Sequence, residues 1–192
     1  MPPGDDVAST LDRLWSLPVA VTAAYAGRAS GLISSTAVTA SLLPEAPRVA
    51  IVLAKANLTH DLVTESGAFA LHLLPATPPE ALERALELFR LLGMRSGQEL
   101  DKLATIAPRR GVTGSPLLDD DALSYVEARV TASVDAGEVT VVAADVVAGT
   151  TLREGEPLTI EVVRERMPAA WVREWEERRA REISDARMGP RR

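Results

Sequence analysis

The 192-residue chain has no cysteine, which excludes disulfides, thiolate metal sites and cysteine nucleophiles. Histidine is nearly as scarce, with only His60 and His72. No H-E-x-x-H spacing joins them, so a histidine zinc site would need carboxylates to complete it, and no structural metal is expected. Excess positive charge is missing too. The formal net charge is −6, which disfavours a nucleic-acid partner. No apolar run is long enough to span a bilayer, and no basic segment followed by an apolar run marks a secretion signal. The expectation is a cytoplasmic protein without a membrane partner. Neither an internal repeat nor a strand–GxGxxG–helix dinucleotide fingerprint occurs.

What is present is enough chain for one domain with a real core. Its charge is uneven. Residues 164–192 carry nine arginines against six acids, a local +3, whereas residues 1–163 carry 12 basic and 21 acidic groups, a local −9. The two parts attract each other, within a subunit or across a dimer. The domain expectation is therefore a body over 1–163 and a charged helical extension over 164–192.

Residues 1–8 read as a polar leader, followed by a short helix from Ser9 or Thr10 through Trp15. Pro18 breaks it. Val19–Tyr25, Ala29–Thr36 and Arg48–Ala54 read as strands, with a turn at Ala26-Gly27. A short helix over 60–65 stops at Gly67 in the C′ position, and 68–74 is a fourth strand. Pro78 and Pro79 open a helix to about Leu92, where Leu82, Leu86 and Phe89 recur at helical spacing and Gly93 ends it. Residues 95–121 look irregular, and their Asp119–Asp121 run reads as a turn. Two strands, 122–134 and 139–147, form a hairpin around Ala136-Gly137. A last strand is expected over 157–163. Pro168 starts a charged helix to about Ser184. Six or seven strands with few, peripheral helices predict a mainly β fold, a closed or nearly closed antiparallel barrel.

The most informative segment is Gly31 to Leu42 with the apolar run Arg48–Ala54 after it. Consecutive small residues (Ser34, Ser35, Thr36, Ala37) let a flat ligand lie against backbone while hydroxyls and amides bond its polar edge. Asn57-Leu-Thr-His60 opens a helix, where backbone amides favour a phosphate. The bland alternatives are hydroxyls on an edge strand, an ordinary N-cap at Asn57 or Thr59, and a solvated Lys55. His60 would stack on a flat ring or bond the phosphate. His72, mid-strand in an apolar run, suits a buried, hydrogen-bonded structural role. Such a pocket fits a phosphorylated planar cofactor such as FMN, though the residues alone do not single it out.

These pieces together resemble the flavin reductase-like, FMN-binding split-barrel family. Pro18-Val-Ala-Val-Thr22 is similar to its opening strand, Gly31–Leu42 to its flavin-contacting stretch, and Pro47–Leu53 to the strand that follows. Glu65-Ser-Gly-Ala-Phe-Ala-Leu-His-Leu-Leu74 is similar to the family's S-G-x-F-A-V-N-V-L. Ser115-Pro-Leu-Leu118 and Tyr125-Val-Glu-Ala-Arg-Val130 resemble its P-x-L and L-E-C-R-V. The likeness covers roughly residues 14–160.

The resemblance implies a Greek-key split barrel and a homodimer with flavin near the subunit interface. It implies FMN, or FAD in its place, with NAD(P)H as cosubstrate giving hydride to the flavin. A flavin-dependent monooxygenase would be the partner. Ile33, Ser34, Ser35, Thr36, Ala37, Lys55, Asn57, Thr59 and His60 would bind cofactor. No catalytic acid, base or nucleophile is implied, because the flavin carries the reactivity. Four positions depart from the family. Ile33 replaces a frequent Thr, Ala37 a usual Phe, His72 a usual Asn, and Val139 the His of a G-D-H motif implicated in nicotinamide binding. Val139 keeps a flavin carrier or sensor without turnover in view, beside an oxidoreductase that retains its FMN and reduces another acceptor. On the C-terminal helix, Trp171 and Trp175 share a face. Docking the helix on the barrel, covering the cofactor and bracing a dimer all remain open to them.

Overall fold

The computed structural model describes residues 17–187; the expected helix before Trp15 lies outside them. Nine strands and four helices follow in order. They are β1 (Val19–Tyr25), β2 (Arg28–Ser34), β3 (Val38–Thr39), β4 (Arg48–Ala54), α1 (Leu58–Ser66), β5 (Ala68–Leu73), α2 (Pro79–Met94), β6 (Arg109–Arg110), β7 (Pro116–Leu117), β8 (Ser124–Asp135), β9 (Val139–Thr151), α3 (Ile160–Arg166) and α4 (Ala169–Arg187). Seven strands make one antiparallel sheet in the order β2-β1-β5-β8-β9-β4-β3, and β6 pairs with β7. The sheet curls into a half-barrel, with β2 and β3 at its ends. Beyond β2 the chain reaches back across to β4. Thr36 Oγ1 accepts from Val52 N at 3.2 Å and donates to Val52 O at 3.3 Å. That contact draws the β2 end onto the far side of the sheet.

Two apolar clusters account for the curl. Val21, Ile51, Leu53, Leu62, Phe69 and Val142 fill the inside, closed by α1. Leu74, Leu86, Phe89, Leu92, Leu158 and Val163 form the second, beneath α2 and α3. Burying chemically continuous faces of this kind is the main favourable term in folding. α2 contributes through Leu82, Ala85, Leu86, Phe89 and Leu92, an apolar stripe at three- and four-residue spacing.

Several expected boundaries move. β1 and β4 fall on the residues expected for them. α2 runs through Gly93 to Met94. That glycine serves close approach, since a Cβ there would lie 3.3 Å from Ile33 Cγ1. The strand expected over 157–163 is absent. Pro157 makes one bridge to Pro75, and Thr159 then caps α3, its Oγ1 accepting from Val162 N at 3.3 Å. The β-branched run Thr159-Ile-Glu-Val-Val163 reads as strand by propensity, but the cap and the contact of Ile160 and Val163 with the second cluster make it helical. Gly67 sits at φ 65°, ψ 20° and ends α1 in the left-handed conformation, as expected. β9 extends to Thr151, and β8 carries register shifts after Glu127 and Val130.

Candidate functional site

Where β2 ends, three helices converge. The N-terminus of α1, the C-terminal end of α2 and one face of α4 enclose a small cleft of about 180 Å³, lined in part by Ile33, Ser35, Asn57, Phe89, Trp175 and Arg178. Strand alternation sends Ile33 and Ser35 toward it and Ser34 into the sheet. Ser34 is buried, and its Oγ meets Thr36 Oγ1 at 3.0 Å. Thr36 uses its hydroxyl to bridge to Val52, and Ala37 packs on the inner core.

Asn57 is the N-cap residue of α1 in position and backbone conformation, yet its side chain makes no cap bond. Its Oδ1 instead accepts from Arg178 Nη2 at 3.2 Å. Arg178 is held further by Glu182 Oε1 at 2.8 Å through Nε and by the Arg95 carbonyl through Nη1. Trp175 meets Phe89 edge-to-face with centroids 6.4 Å apart, and Trp171 receives the Arg90 guanidinium at 4.7 Å. Thus α4 docks on α2 and also walls the cleft.

The remaining candidates face elsewhere. Lys55 Nζ donates to Asp135 Oδ1 at 2.7 Å beside the β8–β9 turn. His60 sits between Asp61 Oδ1, 3.0 Å from Nδ1, and Thr140 Oγ1, 2.9 Å from Nε2. Thr59 is buried. The structure therefore gathers Ile33, Ser35 and Asn57 into one cleft. Lys55 and His60 lie toward the β8–β9 hairpin.

Behind the cleft lies Lys102, only 2% exposed. Its Nζ donates to Gly31 O at 3.0 Å and Leu92 O at 2.7 Å, tying β2 to the end of α2. Burial pushes its pKa down to about 7, the Arg178 charge pushes the same way, and Glu182 opposes. Sequence reasoning missed both Lys102 and Arg178. Lys102 stands in an irregular stretch, and Arg178 is one arginine among many in a charged helix.

Further across the sheet, where His72 and Ile33 flank Ala20 on either side, two buried polar side chains hold the segments on either side of β7. His72 Nδ1 lies 3.2 Å from Ala20 O, and Nε2 accepts from Leu118 N at 3.2 Å. This places the proton on Nδ1 of a neutral ring, and burial lowers its pKa to about 4. Glu127 accepts from Val112 N at 3.0 Å, Thr113 N at 2.7 Å and Thr113 Oγ1 at 2.7 Å. The Asp119–Asp121 run is a turn braced by arginines: Asp119 pairs with Arg109 at 2.7 Å and Asp121 with Arg84 at 2.5 Å. Among the described residues no group of three or more His, Asp or Glu side chains is placed to hold a metal.

Comparison with known proteins identifies this arrangement. Residues 12–168 match the family described as flavin reductase like domain. The chain is 32% identical over 139 residues to a ferric-chelate reductase (NAD(P)H) of Archaeoglobus fulgidus, covering 72% of this chain and 78% of that protein. It is equally identical, over the same length, to a high molecular weight rubredoxin of Moorella thermoacetica, of which the match spans 57%. An FMN-binding protein from Thermus thermophilus, solved with bound p-hydroxybenzaldehyde, superposes with a TM-score of 0.62 at 21% identity, over 71% of each chain. That likeness establishes the split-barrel fold. The chain belongs to the flavin reductase-like family.

Proposed function

We propose that the chain binds FMN with its ring against the end of β2 and its phosphate near the start of α1, and passes reducing equivalents from NAD(P)H to that flavin. The observation that carries this reading is the convergence of Ile33, Ser35 and Asn57 on one cleft at the N-terminal end of α1. Small residues at the strand end admit a flat ring, and the helix's first turn has no side-chain cap, leaving amides to receive a phosphate. The donor set therefore fits a phosphorylated planar group. When bound, a flavin supplies hydride acceptance; the chain's own residues position and polarise it. Ile33, Phe89 and Leu92 exclude water from one side. Arg178 places positive charge close by, which favours an electron-rich ring. The names of relatives support the nicotinamide donor, since the A. fulgidus protein is a reductase of the NAD(P)H type.

We further infer a homodimer. Leu42 is 99% exposed and Leu43 57%, with Val38 and Val147 exposed nearby on the β3–β4–β9 side, an apolar surface that a second copy would cover. A flavin-dependent monooxygenase is the partner that would consume reduced flavin. The body over 1–163 and the extension over 164–192 stand as the domain proposal, and the cytoplasm as the compartment. Among the described residues no helix is long and apolar enough to cross a membrane.

A second reading is a flavin carrier or sensor. Val139, paired with Ala54 at the start of β9, offers no imidazole where the family's nicotinamide-site His is implied. An absorbance spectrum of the purified protein, repeated anaerobically with NADH and then NADPH, separates the readings. Flavin bands that bleach support the reductase; bands that persist with both nucleotides support the carrier. A colourless protein that takes up no added FMN removes both.

A further inference from the structure

We propose that Arg178, carried by α4 from outside the family domain, is the counter-charge for the flavin's terminal phosphate, with Trp175 of the same helix walling the cofactor cleft. This rests on the flavin-binding reading above and assigns a part of that site to a segment the family match does not include. The match ends at residue 168, and α4 begins at Ala169. Yet Trp175, Arg178 and Glu182 line the same cleft as Ile33, Ser35 and Asn57.

The bonding of Arg178 shows why an anion suits it. Its side chain is 14% exposed. Of its three acceptors, the Asn57 amide and the Arg95 carbonyl are neutral. The third, Glu182, is 43% exposed and half in solvent. The neighbouring Arg90 and Arg95 share one carboxylate, Glu174, at 3.1 Å and 3.0 Å. Arg178 lines the cleft with a half-exposed glutamate as its one charged partner. A guanidinium prefers a paired-oxygen acceptor such as phosphate to an amide oxygen.

Asn57 tells the same story from the other side. It stands at the N-cap and leaves the cap bond unmade, turning to Arg178 instead. A phosphate held at Asn57 is therefore within reach of Arg178, because the two side chains already touch. Behind the cleft, buried Lys102 feels the Arg178 charge, which together with burial lowers its pKa to about 7. An arriving dianion offsets the positive charge that Arg178 brings to the cleft lining.

The cleft also has consequences for entry. Its volume of about 180 Å³ lies below the ~300 Å³ at the small end of ligand pockets. FMN therefore extends beyond the cleft, with Arg178 exchanging its Asn57 contact for the phosphate.

The test uses the full chain and two ligands that share ring and ribityl chain, FMN and riboflavin, of which only FMN has the phosphate. Affinities come from flavin fluorescence titration. The wild type should prefer FMN. Arg178→Ala should weaken FMN roughly 10- to 100-fold, the scale of a charge-assisted bond, and leave riboflavin unchanged; Arg178→Lys should restore part of the loss. Equal weakening of both ligands would make Arg178 a structural latch and overturn the proposal, and so would FMN affinity that does not change. A wild type that binds neither flavin removes the flavin reading itself, and this inference with it.

Discussion

Two regions of the molecule bury polar side chains and treat them differently. Around β7, His72 and Glu127 are fully enclosed and every bond they make goes to fixed groups of the chain. At the cleft, Arg178 bonds to two neutral oxygens and to the half-exposed Glu182, and Lys102 behind it bonds to two backbone carbonyls. The first region is a closed network, in which satisfied groups fix one conformation. The second is more open, because Arg178 and its glutamate both line a cleft. Burial alone does not mark a functional residue; a buried charge that borders a cleft is the better mark.

The largest break in this comparison comes from Glu127. Its carboxylate receives two backbone amides and a hydroxyl, and Gly111 packs so closely that a Cβ there would lie 2.2 Å from Oε2. Glu127→Ala removes the one acceptor of three part-buried donors and should cost about 3 kcal/mol. Urea denaturation measures it. Flavin affinity should hold in whatever fraction folds, since neither Glu127 nor the loop it holds lines the cleft. A loss below roughly 1 kcal/mol would mean the loop finds other acceptors and the network is not closed.

His72 gives the next effect, through pH. Burial lowers its folded pKa from 6.5 to about 4. The folded state therefore favours the neutral ring, and the associated stability is present above pH 6.5 and is lost as pH falls toward about 4. The loss by pH 4 is on the order of 3 kcal/mol. His72→Gln keeps a donor and an acceptor but does not titrate. Denaturation at pH 7 and pH 4.5 should show a smaller acid loss in the variant than in the wild type. Equal losses would assign the acid sensitivity to carboxylates.

The same contrast governs what was legible in the sequence. Apolar runs bounded by proline and turn residues placed β1 and β4 without error, and the small residues of 34–37 marked the strand end that reaches the cleft. Local pattern misread 157–163, because a β-branched helix looks like a strand until its apolar face meets the second core cluster. It placed Asn57 at a helix start but did not foresee that its side chain would turn away from the cap. His72 was legible as a structural histidine from its apolar run, whereas its partner Leu118 was not. Arg178 was invisible because its meaning lies in a contact 121 positions distant along the chain. Periodicity reports which face is buried; it carries no information about which distant oxygen a buried cation meets.

The smallest stability effect sharpens the comparison most. An N-cap asparagine ordinarily contributes about 1 kcal/mol, through its bond to a first-turn amide. Asn57 makes no such bond, and its contact with Arg178 is a single one at 3.2 Å. Asn57→Ala should therefore cost only a few tenths of a kcal/mol, well under the ordinary cap. FMN affinity should nonetheless fall clearly. A residue whose loss the fold barely registers and the ligand strongly does is held for the ligand. If the variant instead loses a full cap's worth of stability with FMN binding intact, Asn57 caps α1 in solution, and the cleft is as self-satisfied as the network around His72.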